Sequence, residues 1–320
     1  MTYLEFLETI VDAVKDLAPS AAITHYKKGY IPTEDEMDMI RELNHKYANK
    51  ENSSELLIEA LVVEMYEKSY ITLNLDSIYE KNLTVDEIKE LVKDRVDVFT
   101  KVYGNANDVL DKIEDFDYIK DKLVIRLLPY EENKAKLEDV VYEKFYDIAI
   151  VLYIEISHED GVLNTAKVKK DFAEKWHKRA SELFSIAAQN VMRDQRPVIG
   201  DLTAVISDNL ENVFLATPED LASHMGATLL TTSQRTNGAV AVFIPGVADK
   251  LAELFNDSFY VVFTSIHEAM IHKNGESING MYGALDSTNK TFGMEDYLSS
   301  TIYLYDKDKK DFFPVARLED

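Results

Sequence analysis

The chain has 320 residues, 58 acidic and 35 basic side chains, a formal net charge of -23 and no cysteine. That charge opposes nucleic-acid phosphate and anionic membranes and favours basic partners or simple solubility. The missing thiols exclude disulfides, thiolate catalysis and Cys-based zinc sites, and fit a reducing, cytoplasmic setting.

The length suggests about two domains or one large one. A hydrophobic share of 46% supplies a sizeable core. Residues 1–160 hold 36 acidic and 19 basic side chains, so most of the negative charge lies in the first half. That asymmetry fits either one negative face there or, as the competing reading, a solvated helical surface.

Leu4, Leu7, Ile10, Val11 and Val14 fall at helical spacing and predict a helix over 3–17, ended by Pro19-Ser20. Its acidic, amphipathic start is unlike a signal peptide. Residues 21–31 fit a short strand. Thr33 with Glu36, and Thr84 with Glu87, read as capping boxes that open helices to about Tyr47 and Val102. Asn52-Ser53-Ser54 interrupts, and the Leu, Val and Glu content predicts a helix from Ser54 to Lys68. Tyr70 to Leu75 alternates like a strand. An acidic helix or turn covers 108–115.

Asp121 to Leu128 predicts a strand stopped by Pro129. Phe145 to Ser157 is the longest β-like run of the first half and is apolar on both parities, as a central strand is. His158 to Gly161 reads as a turn. One long helix is expected from Thr165 to Arg193, with Phe172, Trp176, Leu183, Ala187 and Val191 on its apolar stripe. Trp176 reads as core packing.

Residues 200–216 read as a short helix or strand with a loop, and Pro218 begins a helical turn. Thr228 to Thr232, Asn237-Gly238 and Ala239 to Ile244 read as a hairpin on an Asn-Gly turn. A helix follows Pro245-Gly246 to Phe255. Asp257 to His272 then reads as a core strand bearing Ser265, His267 and Glu268 at its end. A helix around 276–287 and a strand over 301–305 complete the chain.

These elements predict an α+β fold, a largely antiparallel sheet covered by helices, with mixed α/β as the alternative. The expected division is an acidic N-terminal α/β half, 1–157, and a C-terminal α+β half, 158–320; one continuous domain is the alternative. No stretch reaches about 18 apolar residues, so no membrane span is expected.

Ser265, His267 and Glu268 are the candidate catalytic residues. Ser265 and His267 share a face if the strand persists, which permits a Ser–His nucleophile with a remote acid. The competing reading is a strand end whose polar side chains satisfy backbone groups. His267 and His272 suggest a zinc protease motif, but that motif needs histidines four apart. Five residues place them about 140° apart on a helix, and on opposite faces of a strand. No metal site, cofactor fingerprint or phosphate-binding loop is expected. Basic clusters are short and diluted by acids, so direct nucleic-acid binding is not expected.

The chain resembles a bacterial family, domain of unknown function 5688. The resemblance rests on Asp117 to Lys122, the strand Leu123 to Leu128, Glu131-Glu132-Asn133, and Phe145 to Val151. It is sharpest at Asn237-Gly238-Ala239 and Ser265-Ile266-His267-Glu268. These segments span roughly 85–305, while the first 70 residues match weakly. The chain departs from the family pattern at Pro129, where Asn is usual, and at Phe263, where Pro is usual. The resemblance implies a cytosolic protein, often associated with mobile elements, and implies no activity.

The reading that follows is a non-catalytic acidic interaction protein whose partner has a basic, nucleic-acid-binding surface. A phage or mobile-element counter-defence role, as a DNA mimic, fits that charge. The rival is a hydrolase using Ser265, His267 and Glu268.

Overall fold

The computed structural model describes residues 1–48, 50, 53–66, 69–159, 162–201, 204, 206–221, 228–291 and 296–317. Asn52, Asp160-Gly161 of the expected turn, and parts of 200–216 lie outside the described residues. The chain divides into two compact units, Met1–Gly104 and Asn105–Asp320. The expected division at 157/158 falls within a strand, Ile148–Glu159.

The first unit holds helices α1 (Tyr3–Leu17), α2 (Met37–Ala48) and α3 (Leu75–Glu80), and strands β1 (Ala22–Tyr26), β2 (Ala60–Tyr66) and β3 (Ser69–Asn74). Helix α4 (Val85–Asp111) begins in this unit. The strands form an antiparallel sheet in the order β1-β2-β3. Residues 54–66 are therefore not the expected helix, and Glu67-Lys68 of that expectation lie outside the described residues. Leu61 and Val63 pack with Phe6, Ile10, Val92 and Val96 on one side, and Ala60 and Val62 pack with Ile40 and Leu43 on the other. A strand buried on both faces loses the alternation that marks strands in a sequence. Both capping boxes form. Thr33 donates its N–H and hydroxyl to Glu36 Oε2 at 3.0 and 2.8 Å, and Thr84 does the same to Glu87 at 2.8 and 2.7 Å.

The second unit contains α5 (Phe116–Ile119), β4 (Leu123–Pro129), α6 (Tyr130–Asn133), β5 (Tyr142–Phe145), β6 (Ile148–Glu159) and β7 (Val162–Lys167). Then follow α7 (Lys170–Lys175), α8 (Ala180–Asp194), β8 (Pro197–Gly200), β9 (Glu211–Asn212), β10 (Thr228–Thr232) and α9 (Val247–Phe255). The remaining elements are β11 (Phe259–Ser265), β12 (Glu268–Lys273), α10 (Ile278–Thr291), β13 (Thr301–Asp306) and β14 (Asp311–Arg317). One sheet has β4 on one side of β6 and β5 and β7 on the other. The larger sheet runs β14-β13-β11-β12-β10-β8-β9. Every pairing among the described strands is antiparallel, so the fold is α+β.

Three expectations give way here. The run from Phe145 to Ser157 is broken at Tyr146, whose φ of +51° turns the chain from β5 into β6. The long helix over 165–193 is a strand end and two helices: Thr165 and Lys167 pair with β6, and His177, at φ +53°, separates α7 from α8. The Asn-Gly hairpin is absent, since residues Gly238–Phe243 form a 3-10 helix. Ala239, Val240 and Ala241 are at most 1% exposed, which suits a core plug better than a two-faced strand. Strand β14 was not anticipated.

One core of the second unit joins Ile125, Leu152, Leu183, Ala187, Val261, Phe263 and Tyr303. Trp176 belongs to it, 5% exposed, with its Nε1–H donating to the Ile113 carbonyl at 2.7 Å. On the far side of β11 and β13, Val262 and Ile302 pack against Met281 and Leu285 of α10. No helix among the described residues is long and apolar enough to cross a membrane.

Candidate functional site

Asp257 to His272 is a hairpin rather than one strand. Phe259 pairs with Lys273 and Val261 with Ile271, with a bulge before Ser265. Ser265 ends β11, Ile266-His267 forms the turn, and Glu268 opens β12. The strand does not persist through the candidate residues, so their shared face is lost.

Each of the three has its own partners. Ser265 is 3% exposed, and its Oγ accepts the His267 backbone N–H at 3.0 Å. The His267 ring turns elsewhere. Its Nδ1 accepts the Asn237 backbone N–H at 3.1 Å, and its Nε2 meets Asp296 Oδ1 at 3.1 Å. An accepting Nδ1 places the ring proton on Nε2, as the donor to Asp296. Glu268 lies beside Thr264, whose hydroxyl is 3.4 Å from Oε1. Burial pushes the Glu268 carboxyl above the usual carboxylate range, with Thr264 and His267 opposing. His272 sits at the far end of β12 and pairs with Glu276 at 2.9 Å.

Asn237, at φ +53°, begins the segment that closes over this turn. Its Oδ1 accepts from Arg126 Nε at 3.2 Å, and Arg126 Nη1 donates to Thr165 Oγ1 at 2.8 Å. Thr231 donates to the His267 carbonyl at 2.7 Å, and the Ala239 N–H to the Ile266 carbonyl at 3.2 Å. A Cβ on Gly238 would lie 2.5 Å from the His267 carbonyl oxygen and 2.7 Å from Thr232 N, so only glycine fits this approach. Three segments carrying the family resemblance, Arg126, Asn237-Gly238-Ala239 and Ser265 to Glu268, thus meet at one polar junction.

A second polar centre was not singled out from the sequence. Asp147, in the β5–β6 turn, accepts from three hydroxyls of one short segment. Ser299 donates at 3.1 Å, Thr301 at 2.8 Å, and Tyr303 in a short bond. Tyr303 is fully buried. Burial, and then the neighbouring Asp147, push its hydroxyl well above the usual tyrosine range. Asp147 lies inside the family-like stretch Phe145 to Val151, which was the only signal for it.

The chain belongs to the family of unknown function DUF5688, whose model matches residues 5–307. The match takes in the first 70 residues, which the resemblance covered only weakly. No curated protein and no solved structure matches the chain. In this family member the junction of Asn237 with His267 and the Asp147 cluster are both built from residues whose polar atoms bond one another. Among the described residues, no group of three or more His, Asp or Glu side chains is placed to hold a metal ion.

Proposed function

We propose that the protein is a non-catalytic interaction module that engages a basic protein surface through an acidic face. The observation that carries this is the solvent side of α4. Glu87, Glu90, Asp94 and Asp97 are all exposed, and their spacing of three and four residues puts them on one stripe. Lys93 lies 3.9 Å from Glu90, and exposed Lys101 falls four residues after Asp97 on the same side, so the stripe sets four carboxylates against two ammoniums. The buried side of the same helix, Ile88, Val92 and Val96, anchors it in the core. The charges are therefore displayed on a fixed scaffold, which reduces the ordering cost of binding. The net charge of -23 steers a basic partner toward the module.

The bonds around Ser265, His267 and Glu268 support a structural role over the hydrolase reading. A Ser–His nucleophile needs the serine hydroxyl on a ring nitrogen, and both ring nitrogens are engaged with Asn237 and Asp296. A partner that itself binds nucleic acid, in a phage or mobile-element counter-defence setting, accords with the charge and with the family resemblance.

The test is capture from bacterial lysate with the wild type and a Glu90→Gln, Asp94→Asn, Asp97→Asn variant. Basic proteins retained by the wild type and lost with the variant support the reading. Identical captured sets contradict it.

A further inference from the structure

A cavity of about 280 Å³ opens in the second unit between the end of α8, the start of β4 and strand β6. Val124 and Val191 give it apolar walls. Asn190 and Gln195 line it with buried amides, 4% and 5% exposed. Asn190 Nδ2 donates to the carbonyls of Lys120 and Leu123 at 2.8 and 2.9 Å. Both amide hydrogens are thereby used, which leaves Oδ1 as an acceptor. The Gln195 side-chain amide has no hydrogen-bond partner among the described residues. Its amide atoms face the cavity rather than a sealed interior, so a ligand that bonds them takes the place of water there.

The charge of the lining is also unbalanced. Asp121 and Asp194 are both bridged by Arg193, at 3.7 and 2.7 Å. Lys122 lies over the Tyr118 ring, 5.3 Å from its centre. Glu155, half-buried on β6, has no ion-pair partner among the described residues. The site thus offers one uncommitted carboxylate and two amide oxygens between apolar walls, with the Lys122 ammonium also in its lining. A guanidinium matches that set: it is planar, always charged and carries five N–H donors in a fork. An ammonium concentrates three donors at one point and matches separated acceptors less well. We infer that this cavity binds a guanidinium group, presented as an arginine side chain whose methylenes lie along Val124 and Val191. The assignment does not depend on the acidic face of α4.

The test is calorimetric titration of the full chain with N-acetyl-arginine amide, against the capped lysine and citrulline analogues. The capped arginine is expected to bind saturably and at least tenfold more tightly than citrulline, its uncharged isostere. It should also bind more tightly than the lysine analogue. Glu155→Gln should weaken arginine binding at least tenfold while unfolding at the same temperature as the wild type. Gln195→Met serves as the second variant and should weaken it as well. Equal affinity for arginine and citrulline, binding unchanged in both variants, or no binding overturns the proposal.

Discussion

The backbone N–H of Asn237 donates to Nδ1 of His267, thirty residues further along the chain, at 3.1 Å. This bond fixes the imidazole's proton on Nε2 and aims it at Asp296. It also satisfies a buried donor, since Asn237 is 5% exposed. His267→Ala should therefore cost about 1–3 kcal/mol in urea unfolding, the penalty for stranding a buried N–H. His267→Asn, whose side-chain oxygen offers an acceptor, should recover part of that loss. Equal stability of His267→Ala and the wild type would show that the bond contributes nothing.

Gly238 is held to glycine by approach rather than by φ. A methyl group would press on the backbone of His267 and Thr232, which cannot rotate away. Gly238→Ala is expected to destabilise by about 3 kcal/mol or more, at the upper end of overpacking effects. A loss of unfolding free energy under about 1 kcal/mol would mean that the junction relaxes easily.

Asp147 gathers the hydroxyls of Ser299, Thr301 and Tyr303, all at most 5% exposed. Asp147→Ala leaves three buried donors without their acceptor and should cost at least about 3 kcal/mol. Tyr303→Phe removes one donor and keeps the ring, so its cost should be about 1.5–3 kcal/mol, the net value of one hydrogen bond to a charged acceptor. Chemical denaturation of both variants checks the order as well as the size.

Two carboxylates give opposite pH signatures. The Thr33 backbone N–H, followed by the Tyr30 hydroxyl, holds Glu36 down at about 2. Its folded value lies below the unfolded one, so its stabilisation is present above the usual carboxylate value and is lost as pH falls toward 2. Glu36→Gln should be less stable than the wild type at pH 6, and the gap should close by pH 2. Glu268 is raised by burial, so its ionised form opposes folding, and that penalty grows as pH rises through the carboxylate range. Glu268→Gln should gain stability relative to the wild type at pH 7 and lose that advantage near pH 4. Parallel stability profiles would contradict both assignments.

Local signals read well in this chain, and tertiary ones did not. The boxes at Thr33 and Thr84, the helix after Gly246 and the strand from Phe259 were legible because each depends on a few adjacent residues. Strand β2 was hidden because Leu61 and Val63 face one core and Ala60 and Val62 another, which erases alternation. The break between α7 and α8 was hidden because it turns on His177 adopting φ +53°, and no glycine or proline marks it. Asn237-Gly238 suggested a turn, and Asn237 does adopt the left-handed conformation. The burial of the residues after it then selects a 3-10 helix over a strand. At the candidate site, the resemblance marked Asn237 and His267 separately. Only the fold pairs them, and it gives Ser265 to a backbone N–H.

The proposed hold of the exposed α4 carboxylates on a basic partner depends on electrostatic attraction that salt screens. The direct measurement is the affinity of the purified partner across a salt titration, from about 50 to 500 mM, for the wild type and the α4 variant; screening over that range shortens the Debye length severalfold. The account predicts that wild-type affinity falls steeply with salt and that neutralising Glu90, Asp94 and Asp97 flattens the dependence. Tight binding unchanged by salt and by the three substitutions would contradict it.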